Sequence, residues 1–537
     1  MITDVSISRT GWMECDGAAG NYIKVSAFTD STLIFGAKFL RQDDGTEARG
    51  GITGCIIQEA YAGSRENKKL TTEAMMSEDS KRFDHPKTTK VAEHSTKITL
   101  NSSNSELIFL FNWAKDLALN YVMTDTPNTI PCYEAALPGR GSFCLRDWEH
   151  MALGAHFLGL DLENITMMKE FAKTATPEFD YVPAWHIDYF GKIWERAHQV
   201  PSIFDAIWTS YQQYLWTGNE EWIEDPTLYN YYTNAVTHYL TSHDNAIPNN
   251  GIADVPGENG WENTCTYNET SEDSFKEAAD GIGMQYQGFR SYAEILKARG
   301  DIDGYNKWMT KANNILHLFR TDFWEGSTYY RGRRSLTDYS AGYGKENSFL
   351  MLTTLITEPG HKSEDYLDFI WNNCSNDNIE AKSYLPDAFF PYGQKERGWH
   401  YMKELYYADP ERRKYPELPY TFVSHTIRWL IGVNANAPNN KVSTLPQLPD
   451  EVSWVEVDII PVGSKMIQVI QEENSKTTLS NRSNSSINWE IRFYGNYPFI
   501  NLNGVDHSTS VSTINGLTIS SIETTVEGNQ TSVALLP

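Results

Sequence analysis

The hydrophobic pattern of this chain changes its period twice, and these two changes constrain the fold more than any other feature. From about residue 106 to residue 433, apolar side chains recur every three or four positions, which is typical of amphipathic helices. Before and after this region, short alternating or β-branched runs predict strands. We therefore predict a mainly α protein in three parts: an N-terminal β-rich domain over residues 1–107, a catalytic helical domain over 108–433 and a small C-terminal β-rich domain over 434–537.

The helical region contains long loops rich in Pro, Gly, Asn and Trp between its helices. Loops of more than about a dozen residues inside a compact domain are usually functional. Helical pairs with elaborated loops at one end favour an α/α toroid over a simple bundle. The clearest helical patterns cover residues 151–158, 203–211, 285–296 and 305–316. The clearest strand patterns cover residues 22–28, 32–37, 452–462, 465–470, 477–481 and 489–493.

The formal net charge of −25 excludes several classes of partner. Nucleic acids and anionic membranes bind concentrated Lys and Arg, so neither is expected here. No apolar run approaches the roughly 20 residues that cross a bilayer, and the first residues have no signal-peptide pattern. Export is therefore unsupported unless the chain has been trimmed. The chain could form a homo-oligomer. The aromatic content of 13% suits a protein that binds oligo- or polysaccharides.

The cysteines do not form a metal-binding pattern. They are Cys15, Cys55, Cys132, Cys144, Cys265 and Cys374, without a CxxC pair or zinc-ligand spacing. We expect most of them to be reduced, buried thiols. Neither a metal nor an organic cofactor is expected.

One polar stretch, residues 257–275, concentrates acids, amides and aromatic side chains in a predicted loop. Glu258 and Glu262 supply carboxyl groups, Asn259 supplies an amide and Trp261 supplies an indole. Carboxyl groups transfer protons and an indole stacks on the apolar face of a sugar ring, so this mixture suits a sugar site. The alternative is an acidic surface loop that caps the helix beginning near Glu272.

A second polar cluster opens the helical region. Its five consecutive members are Arg146, Asp147, Trp148, Glu149 and His150. Asp147 lies where a loop enters a helix, so it could cap that helix or bind a ligand. Four titratable side chains and one indole exceed what capping requires, which favours a binding site.

Two further positions are candidates. Trp185 and His186 lie together in a predicted loop, although a buried histidine with a structural hydrogen bond is the more common case. Glu417 lies between Pro416 and Pro419, which hold the backbone extended and fix the carboxylate in a rigid segment.

This arrangement resembles the six-hairpin glycosidase superfamily, which includes glucoamylases, α-L-rhamnosidases and exo-acting uronidases. The resemblance rests on the β–helical–β order, on FCLRDWEH early in the helical region, on ENGWENTCTY in its middle and on a late acid before the last helix. It covers about residues 108–433 in architecture. It implies an (α/α)6 toroid that works as an exo-acting glycoside hydrolase.

The resemblance also implies roles for individual residues. Arg146 and Asp147 resemble the pair that grips the terminal sugar, Glu262 falls where the family carries its general acid, and Glu417 falls where its general base is expected. An inverting enzyme holds these two carboxyl groups roughly 6.5–9.5 Å apart, with a water between them. Because the motif departs from the ESGWD pattern, Glu258 stays an alternative acid. The alternatives for the base are Glu346 and Glu404.

The substrate is predicted from arginines. Two basic runs stand out in this acidic chain, Arg331-Gly-Arg-Arg, which includes Arg333 and Arg334, and Arg412-Arg-Lys. Together with Arg146 they could clamp a carboxylate, which favours a terminal uronic acid such as glucuronic acid. A neutral deoxy sugar such as rhamnose is the alternative substrate. A polysaccharide lyase and a carbohydrate-binding protein without catalysis are alternative functions.

Overall fold

The structure of this chain is a computed structural model. It describes residues 96–124, 128–137, 139–247, 250–255, 263–268 and 274–537, together with the backbone of five strands before residue 76. The α-helices are α1 (Ser105–Asn120), α2 (Leu145–Phe157), α3 (Asp161–Thr174), α4 (Val200–Thr217), α5 (Glu221–Glu224), α6 (Pro226–Asn234), α7 (Leu240–Ser242), α8 (Ala279–Ala298), α9 (Ile302–Asp322), α10 (Glu346–Thr353), α11 (His361–Asn373), α12 (Ile379–Ser383), α13 (Leu385–Phe389), α14 (Lys395–Tyr407) and α15 (Glu417–His425). Short π-helical segments, Ala235–Tyr239 and Thr426–Leu430, continue α6 and α15.

The strands are β1 (Ile2–Ile7), β2 (Trp12–Gly17), β3 (Tyr22–Ala27), β4 (Gly36–Lys38), β5 (Leu70–Met75), β6 (Thr99–Ser102), β7 (Ser142–Cys144), β8 (His186–Asp188), β9 (Ile193–Glu195), β10 (His198–Gln199), β11 (Asn263–Thr264), β12 (Glu277–Ala278), β13 (Gly332–Ser335), β14 (Asp338–Ser340), β15 (Val433–Asn436), β16 (Lys441–Thr444), β17 (Trp454–Val462), β18 (Lys465–Glu472), β19 (Lys476–Asn481), β20 (Ile487–Tyr494), β21 (Phe499–Leu502), β22 (Val505–Ser508), β23 (Ser510–Ile514), β24 (Leu517–Val526) and β25 (Thr531–Leu535).

The predicted periodicities are confirmed where they were strongest. Helices α2, α4, α8 and α9 cover the four helical patterns, and β3, β17, β18, β19 and β20 cover five of the strand patterns. The sixth pattern, residues 32–37, falls largely outside the described residues. The chain is thus mainly helical in its middle, with β-sheets before and after.

Six helices pack as successive neighbours, and the short helix α12 connects the last two of them. Helix α2 packs on α4, α4 on α8, α8 on α10 and α10 on α13, while α12 contacts both α13 and α15, and α15 packs on α2. Helices α2, α4, α8, α10 and α15 bury most of their side chains, whereas α9 and α11 bury only one face. A helix buried on most sides has neighbours on most sides, so these five are inner helices.

Two glycines allow the inner helices to approach closely. A Cβ at Gly154 of α2 would lie 2.0 Å from the carbonyl oxygen of Tyr420 in α15. A Cβ at Gly288 of α8 would lie 2.9 Å from Phe204 in α4. Because backbone atoms occupy these positions, a larger residue would force the helices apart.

Two sheets follow the helices. One has the order β15-β16-β20-β24-β23, and the other has the order β22-β21-β25-β19-β18-β17-β6. Buried and exposed side chains alternate along β17 and β20, which is the pattern of sheets that pack face to face. Strand β6 is the exception in chain order, because it precedes all the helices yet pairs antiparallel with β17.

These sheets lie against the C-terminal ends of the inner helices. The Gly463 N–H donates to the carbonyl oxygen of Trp216 at the end of α4 (2.7 Å). The Gln471 amide donates to the carbonyl oxygen of Ile431 just after α15 (2.6 Å). The N-terminal ends of the same helices are therefore the ones available for a site.

Residues 1–93 and 137–141 form a compact unit of their own, distinct from the unit of residues 94–136 and 142–537. In the first unit, β1, β2 and β4 form one sheet, while β3 and β5 form another. The division of the chain at residues 107 and 433 stays a prediction. Among the described helices, none is long and apolar enough to span a bilayer.

Candidate active site

Four inner helices carry an acid in their first turn. These acids are Asp147 in α2, Asp280 in α8, Glu346 in α10 and Glu417 in α15. The free N–H groups of a first helical turn carry partial positive charge, which favours carboxylates at these positions. The fold thus gathers acidic groups at the N-terminal ends of the inner helices.

Glu417 is held by one of its two carboxyl oxygens. Its Oε1 lies 3.1 Å from Nδ1 of His150 and accepts a hydrogen bond from the Tyr384 hydroxyl at 3.2 Å. Because a carboxylate only accepts, Nδ1 of His150 is the donor. The other oxygen, Oε2, is buried and has no hydrogen-bond partner among the described residues. One oxygen is fixed in place while the other keeps its capacity to accept a proton.

His150 is itself fixed from several sides. Its ring stacks on that of Tyr384, with centroids 3.6 Å apart and planes 8° from parallel. Its Nε2 lies 3.8 Å from Oδ2 of Asp387. Burial alone would lower the pKa of His150, but the neighbouring carboxylates of Asp387 and Glu417, the second within hydrogen-bond distance, outweigh it and raise that pKa. A positively charged imidazole is therefore favoured between the two carboxylates.

Asp387 lies next to His150 and contacts three further side chains. Its Oδ2 lies 2.8 Å from Nε2 of His425, and its Oδ1 accepts a hydrogen bond from the indole N–H of Trp429 at 2.8 Å. Arg428 lies 3.3 Å from the same Oδ1. Burial would raise the pKa of Asp387, but His425, His150 and Arg428 hold it well below the usual range. Asp387 thus carries a charge that orients His150.

Glu149 and Asp205 form a second acidic group, joined by Tyr267. The Tyr267 hydroxyl lies 2.8 Å from Oε2 of Glu149 and 3.2 Å from Oδ2 of Asp205. Burial raises the pKa of Glu149 well above its usual value, and the charge of Asp205 adds to this. Burial also raises the pKa of Asp205 to about 6. Burial and the neighbouring charge of Asp205 therefore favour the protonated form of Glu149.

Arg146 connects the starts of three elements. Its guanidinium donates to Oε1 of Glu380 in α12 (2.7 Å) and to the carbonyl oxygen of Tyr267, which precedes α8 (3.3 Å). The guanidinium also lies over the Tyr267 ring, 5.4 Å from its centroid. Arg146 and the buried Asp147 next to it thus lie at the same end of the helices as Tyr267.

Known structures share this architecture. The α-L-rhamnosidase from Dictyoglumus thermophilum is 14% identical over 87% of this chain and 52% of its own, with a TM-score of 0.56. The GH78 family rhamnosidase of Bacillus sp. GL1 is 13% identical over 75% of this chain and 41% of its own (TM-score 0.52). The α-L-rhamnosidase of Streptomyces avermitilis, solved in complex with L-rhamnose, is 11% identical over 88% of this chain and 44% of its own (TM-score 0.54).

This chain shares its fold with these rhamnosidases. The chain spans about half the length of these rhamnosidases, or less. No protein-family model matches the sequence. No curated protein matches it by sequence either. At identities of 11–14%, these structures show a shared fold and nothing about the activity of this chain.

The alternative bases differ from Glu417 in their surroundings. Glu404 is paired on the outer helix α14, with Lys382 at 2.7 Å and His400 at 3.1 Å. Burial raises the pKa of Glu346 to about 8, so this carboxyl keeps its proton at neutral pH. A neutral carboxyl cannot accept a proton from water, and an ion pair on an outer helix is ordinary surface structure. Of the three, Glu417 has the surroundings of a base.

The predicted aromatic residues lie in two places. Trp148 is fully buried and stacks on Trp222 with centroids 6.4 Å apart, so its indole belongs to the core. Trp185 and His186 lie on the sheet β7-β8-β9, which runs directly into α2. Nδ1 of His186 lies 3.2 Å from the Ser142 hydroxyl.

The same hairpin exposes two aromatic side chains that were not predicted as site residues. Phe190 is 57% exposed and Trp194 is 54% exposed. The Leu145 N–H at the start of α2 donates to the carbonyl oxygen of Trp185 (3.0 Å), so the hairpin lies beside Arg146 and Asp147. The run of aromatic residues in YFGKIW was the available sequence signal.

Two of the arginines predicted to clamp a carboxylate, Arg333 and Arg334, already have partners. Nε and NH2 of Arg333 lie 2.7 and 2.6 Å from Oε2 of Glu277, and both side chains are fully buried. Arg334 lies 3.4 Å from Asp338 and donates to the Ser340 hydroxyl at 3.0 Å. A guanidinium that neutralises a buried carboxylate is not available to a substrate. This arrangement weakens the case for a uronic acid.

The predicted general acid, Glu262, lies outside the described residues. The same holds for Glu258, Asn259 and Trp261. The next residue, Asn263, is described. It pairs with His198, and the following residue, Thr264, pairs with Gln199 at the start of α4. The role of Glu262 stays a prediction.

His150, Asp387 and His425 could also be considered as metal ligands, since one ligand atom from each lies within 4.8 Å of the others. Two histidines and a carboxylate suit zinc. However, Asp387 already accepts from Trp429 and lies beside the positive charge of Arg428. A guanidinium on the same carboxylate opposes a divalent cation. These contacts favour a hydrogen-bonded relay, and the expectation that no metal is required stays a prediction.

Proposed function

We propose that this chain is an exo-acting, inverting glycoside hydrolase in which Glu417 is the general base. The observation that carries this proposal is the asymmetry of the Glu417 carboxylate. Its Oε1 is fixed by His150 and Tyr384, while its buried Oε2 has no partner within the described residues. A base needs both an orientation and a free acceptor, and this arrangement supplies both.

The inner helices support an (α/α)6 toroid as the scaffold of this hydrolase. Each of α2, α8, α10, α13 and α15 has an outer partner, namely α3, α9, α11, α14 and α1. Helix α4 contacts α5 and the π-helical segment that continues α6, which would complete the sixth pair. In such a toroid, acids from separate helix starts can lie across one pocket from each other.

The general acid is proposed to be Glu262, with Glu258 as its alternative. In support, the neighbouring Asn263 pairs with His198 at the start of α4, and Tyr267 contacts Arg146. Glu346 is a third candidate, because burial raises its pKa to about 8 and a general acid must be protonated before the reaction. Glu346 is therefore a candidate for the general acid and no longer a candidate for the general base.

A neutral terminal sugar of the α-L-rhamnoside type is the proposed substrate. Arg333 and Arg334 are engaged by Glu277 and Asp338, so they do not favour a uronic acid. Asp147 and Arg146, which also pairs with Glu380, are proposed to contact the sugar at the start of α2. The three structures compared above are rhamnosidases, which agrees with a neutral deoxy sugar.

A glycan screen tests this proposal. The full chain is incubated with oligosaccharides that end in α-L-rhamnose, glucuronic acid or glucose, and the released sugar is followed by nuclear magnetic resonance. We expect release of one terminal neutral sugar whose anomeric configuration is inverted at first appearance. The Glu417→Gln variant serves as the matched negative control.

Other outcomes would replace the proposal. Retained configuration would require a nucleophile at roughly 5–5.5 Å from the acid, which contradicts water activation by Glu417. A gain of ultraviolet absorbance without water uptake would indicate a polysaccharide lyase. Binding without turnover of any glycan would indicate a carbohydrate-binding protein.

A further inference from the structure

A cleft of about 540 Å3 lies beside the candidate active site, between the start of α12 and the end of α14. The segment that joins α14 to α15 forms its third side. We call it the side cleft. The residues that line it include Asn378, Glu380, Lys382, Tyr407, Arg412 and Tyr415. Its volume lies within the roughly 300–1,000 Å3 of pockets that hold small ligands.

Two residues connect the side cleft to the candidate active site. Glu380 lines the cleft and accepts a hydrogen bond from the guanidinium of Arg146 at 2.7 Å. Tyr415 lines it too and precedes Glu417 by two residues, so their Cα atoms are at most about 7 Å apart. Burial raises the pKa of Tyr415 above its usual range, and the carboxylates of Glu380 and Asp147 add to this. The side cleft therefore adjoins the site proposed for the terminal sugar.

One aromatic ring in the side cleft is both exposed and held in place. Tyr407 is 62% exposed. Its hydroxyl donates to Oε1 of Glu106 at 2.5 Å, and its ring meets that of Tyr406 edge to face, with centroids 5.3 Å apart. A ring fixed from two sides loses little freedom on binding, so it suits the apolar face of a sugar.

The charges of the side cleft do not favour an anionic ligand. Lys382 lies 2.7 Å from Glu404, so these two charges neutralise each other and bring no net charge to a ligand. Arg412 is the other cation among the lining residues, whereas Asp377 and Asp409 add two further carboxyl groups. A negatively charged sugar would therefore face more carboxylates than cations.

We propose that the side cleft binds the sugar next to the terminal one, and that this second sugar is an uncharged hexose. Its apolar face would lie against Tyr407, and its hydroxyl groups would accept hydrogen bonds from Arg412. The inference rests on the proposed function, because only a terminal sugar held at Arg146 and Asp147 places its neighbour in the side cleft. The enzyme would then select its substrates by their second sugar as well as by their first.

Calorimetric titration tests this inference on the full chain carrying Glu417→Gln, which binds sugars without turning them over. The ligands are L-rhamnose, a disaccharide of α-L-rhamnose linked to D-glucose, and the same disaccharide with D-glucuronic acid in place of glucose. In this background, Tyr407→Ala removes the exposed ring and Ala408→Trp fills the cleft. The matched control is Tyr305→Ala, which removes a tyrosine of α9 outside the cleft.

The glucose disaccharide should bind about fivefold or more tightly than L-rhamnose, and more tightly than the glucuronic acid disaccharide. Tyr407→Ala and Ala408→Trp should remove this gain but leave the binding of L-rhamnose within twofold, and Tyr305→Ala should change neither. If Ala408→Trp does not fold, as judged by circular dichroism, Tyr407→Ala decides alone.

Several results would overturn the inference. They are no binding of any of the three ligands, a disaccharide that binds no more tightly than L-rhamnose, and tighter binding of the glucuronic acid disaccharide. A gain that persists in Tyr407→Ala, or an equal loss of both ligands in this variant, would also overturn it.

Hydrolysis separates this inference from the proposed function. The parent chain and Tyr407→Ala are assayed with an aryl α-L-rhamnoside and with the glucose disaccharide. Disaccharide binding that depends on Tyr407, without release of rhamnose by the parent, would refute hydrolysis and support the side cleft. Release of rhamnose with the same kcat/KM for the disaccharide in parent and variant would refute the side cleft and support hydrolysis.

Discussion

The Glu417 carboxylate is the single group on which the proposed reaction depends most. Replacing it with glutamine keeps the shape and the contact with Tyr384 but removes the proton acceptor. We expect kcat for a natural oligosaccharide to fall by about 10²–10⁴-fold or more. Activated aryl glycosides should suffer equally, since both substrates need an activated water.

The control for this substitution is Glu404→Gln, because Glu404 is an ion-paired acid on an outer helix. Its activity should stay within twofold of the parent. Full activity of Glu417→Gln on an oligosaccharide would show that the base lies elsewhere in the chain.

His150 is expected to act through Glu417 rather than on the substrate. His150→Gln keeps a hydrogen-bond donor beside Oε1 of Glu417 but removes the positive charge. A carboxylate is harder to keep ionised without a neighbouring cation, so the acidic limb of the kcat/KM profile should move to higher pH. An unchanged pH profile with a raised KM would instead indicate that His150 binds the sugar.

Glu346 should make the stability of the fold dependent on pH. Its pKa is raised from 4.5 to about 8, so the folded chain holds a proton that the unfolded chain loses in this window. The contribution of Glu346 to stability is therefore present below about pH 4.5 and lost as pH rises through about 8.

Glu346→Gln removes this dependence. The free energy of unfolding in urea should be similar for variant and parent at pH 4.5, and higher for the variant at pH 9. Glu404→Gln should show no such trend. A constant difference between pH 4.5 and pH 9 would mean that Glu346 is not held protonated.

The sequence was informative about which residues are acids but not about their partners. Glu417 was identified from its position and from the prolines that flank it, but the prediction that these prolines hold the backbone extended was wrong: Glu417 is the first residue of α15, and Pro419 lies in the first turn of that helix, where proline is tolerated. Arg333 was assigned to the substrate because arginines stood out in an acidic chain, yet Glu277, 56 residues earlier, neutralises it. Pairings between distant residues are decided by tertiary packing, which no local pattern encodes.

Among the secondary-structure elements, the hairpin β8–β9 allows the most direct test of a role in glycan binding. It carries Phe190 and Trp194 on its surface beside the start of α2. Trp194→Ala should raise KM for an oligosaccharide about 2- to 10-fold, because a lost aromatic contact is worth about 0.5–1.5 kcal/mol.

The same variant should leave an aryl monoglycoside unaffected, since this substrate does not reach beyond the terminal sugar. Leu162→Ala provides the control, because Leu162 is 58% exposed on α3. An equal rise in KM for both substrates, or for both variants, would rule out a role of the hairpin in binding the rest of the glycan.

Element types were more predictable than element neighbours. The period of three to four residues located α8 and α9, and alternation located β17 and β20, because each pattern reflects local burial. The sequence did not reveal that β6 pairs with β17, because the two strands are about 350 residues apart. Nor did it reveal that the indole of Trp148 stacks on Trp222 in the core.

At the scale of the whole molecule, the C-terminal sheets and the helices should fold as one body. The sheets cover the ends of α4 and α15 through contacts such as Gln471 with Ile431. A chain ending at residue 433 would expose these apolar ends and leave β6 without its partner. We expect it to be insoluble or to lack the near-ultraviolet circular dichroism of the full chain.

The full chain under the same conditions is the reference for this truncation. A soluble fragment with the cooperative unfolding transition of the parent would show that the helices are independent of the sheets.

The pairing of β6 with β17 has a consequence for synthesis. Val455 pairs with Ser102, so the partner of Ser102 is made 353 residues later. At about 5–20 residues per second, roughly 20–70 s pass before this partner exists. During that time the strand has an open edge, which other chains can pair with. Newly made chains should therefore need a chaperone until translation is nearly complete.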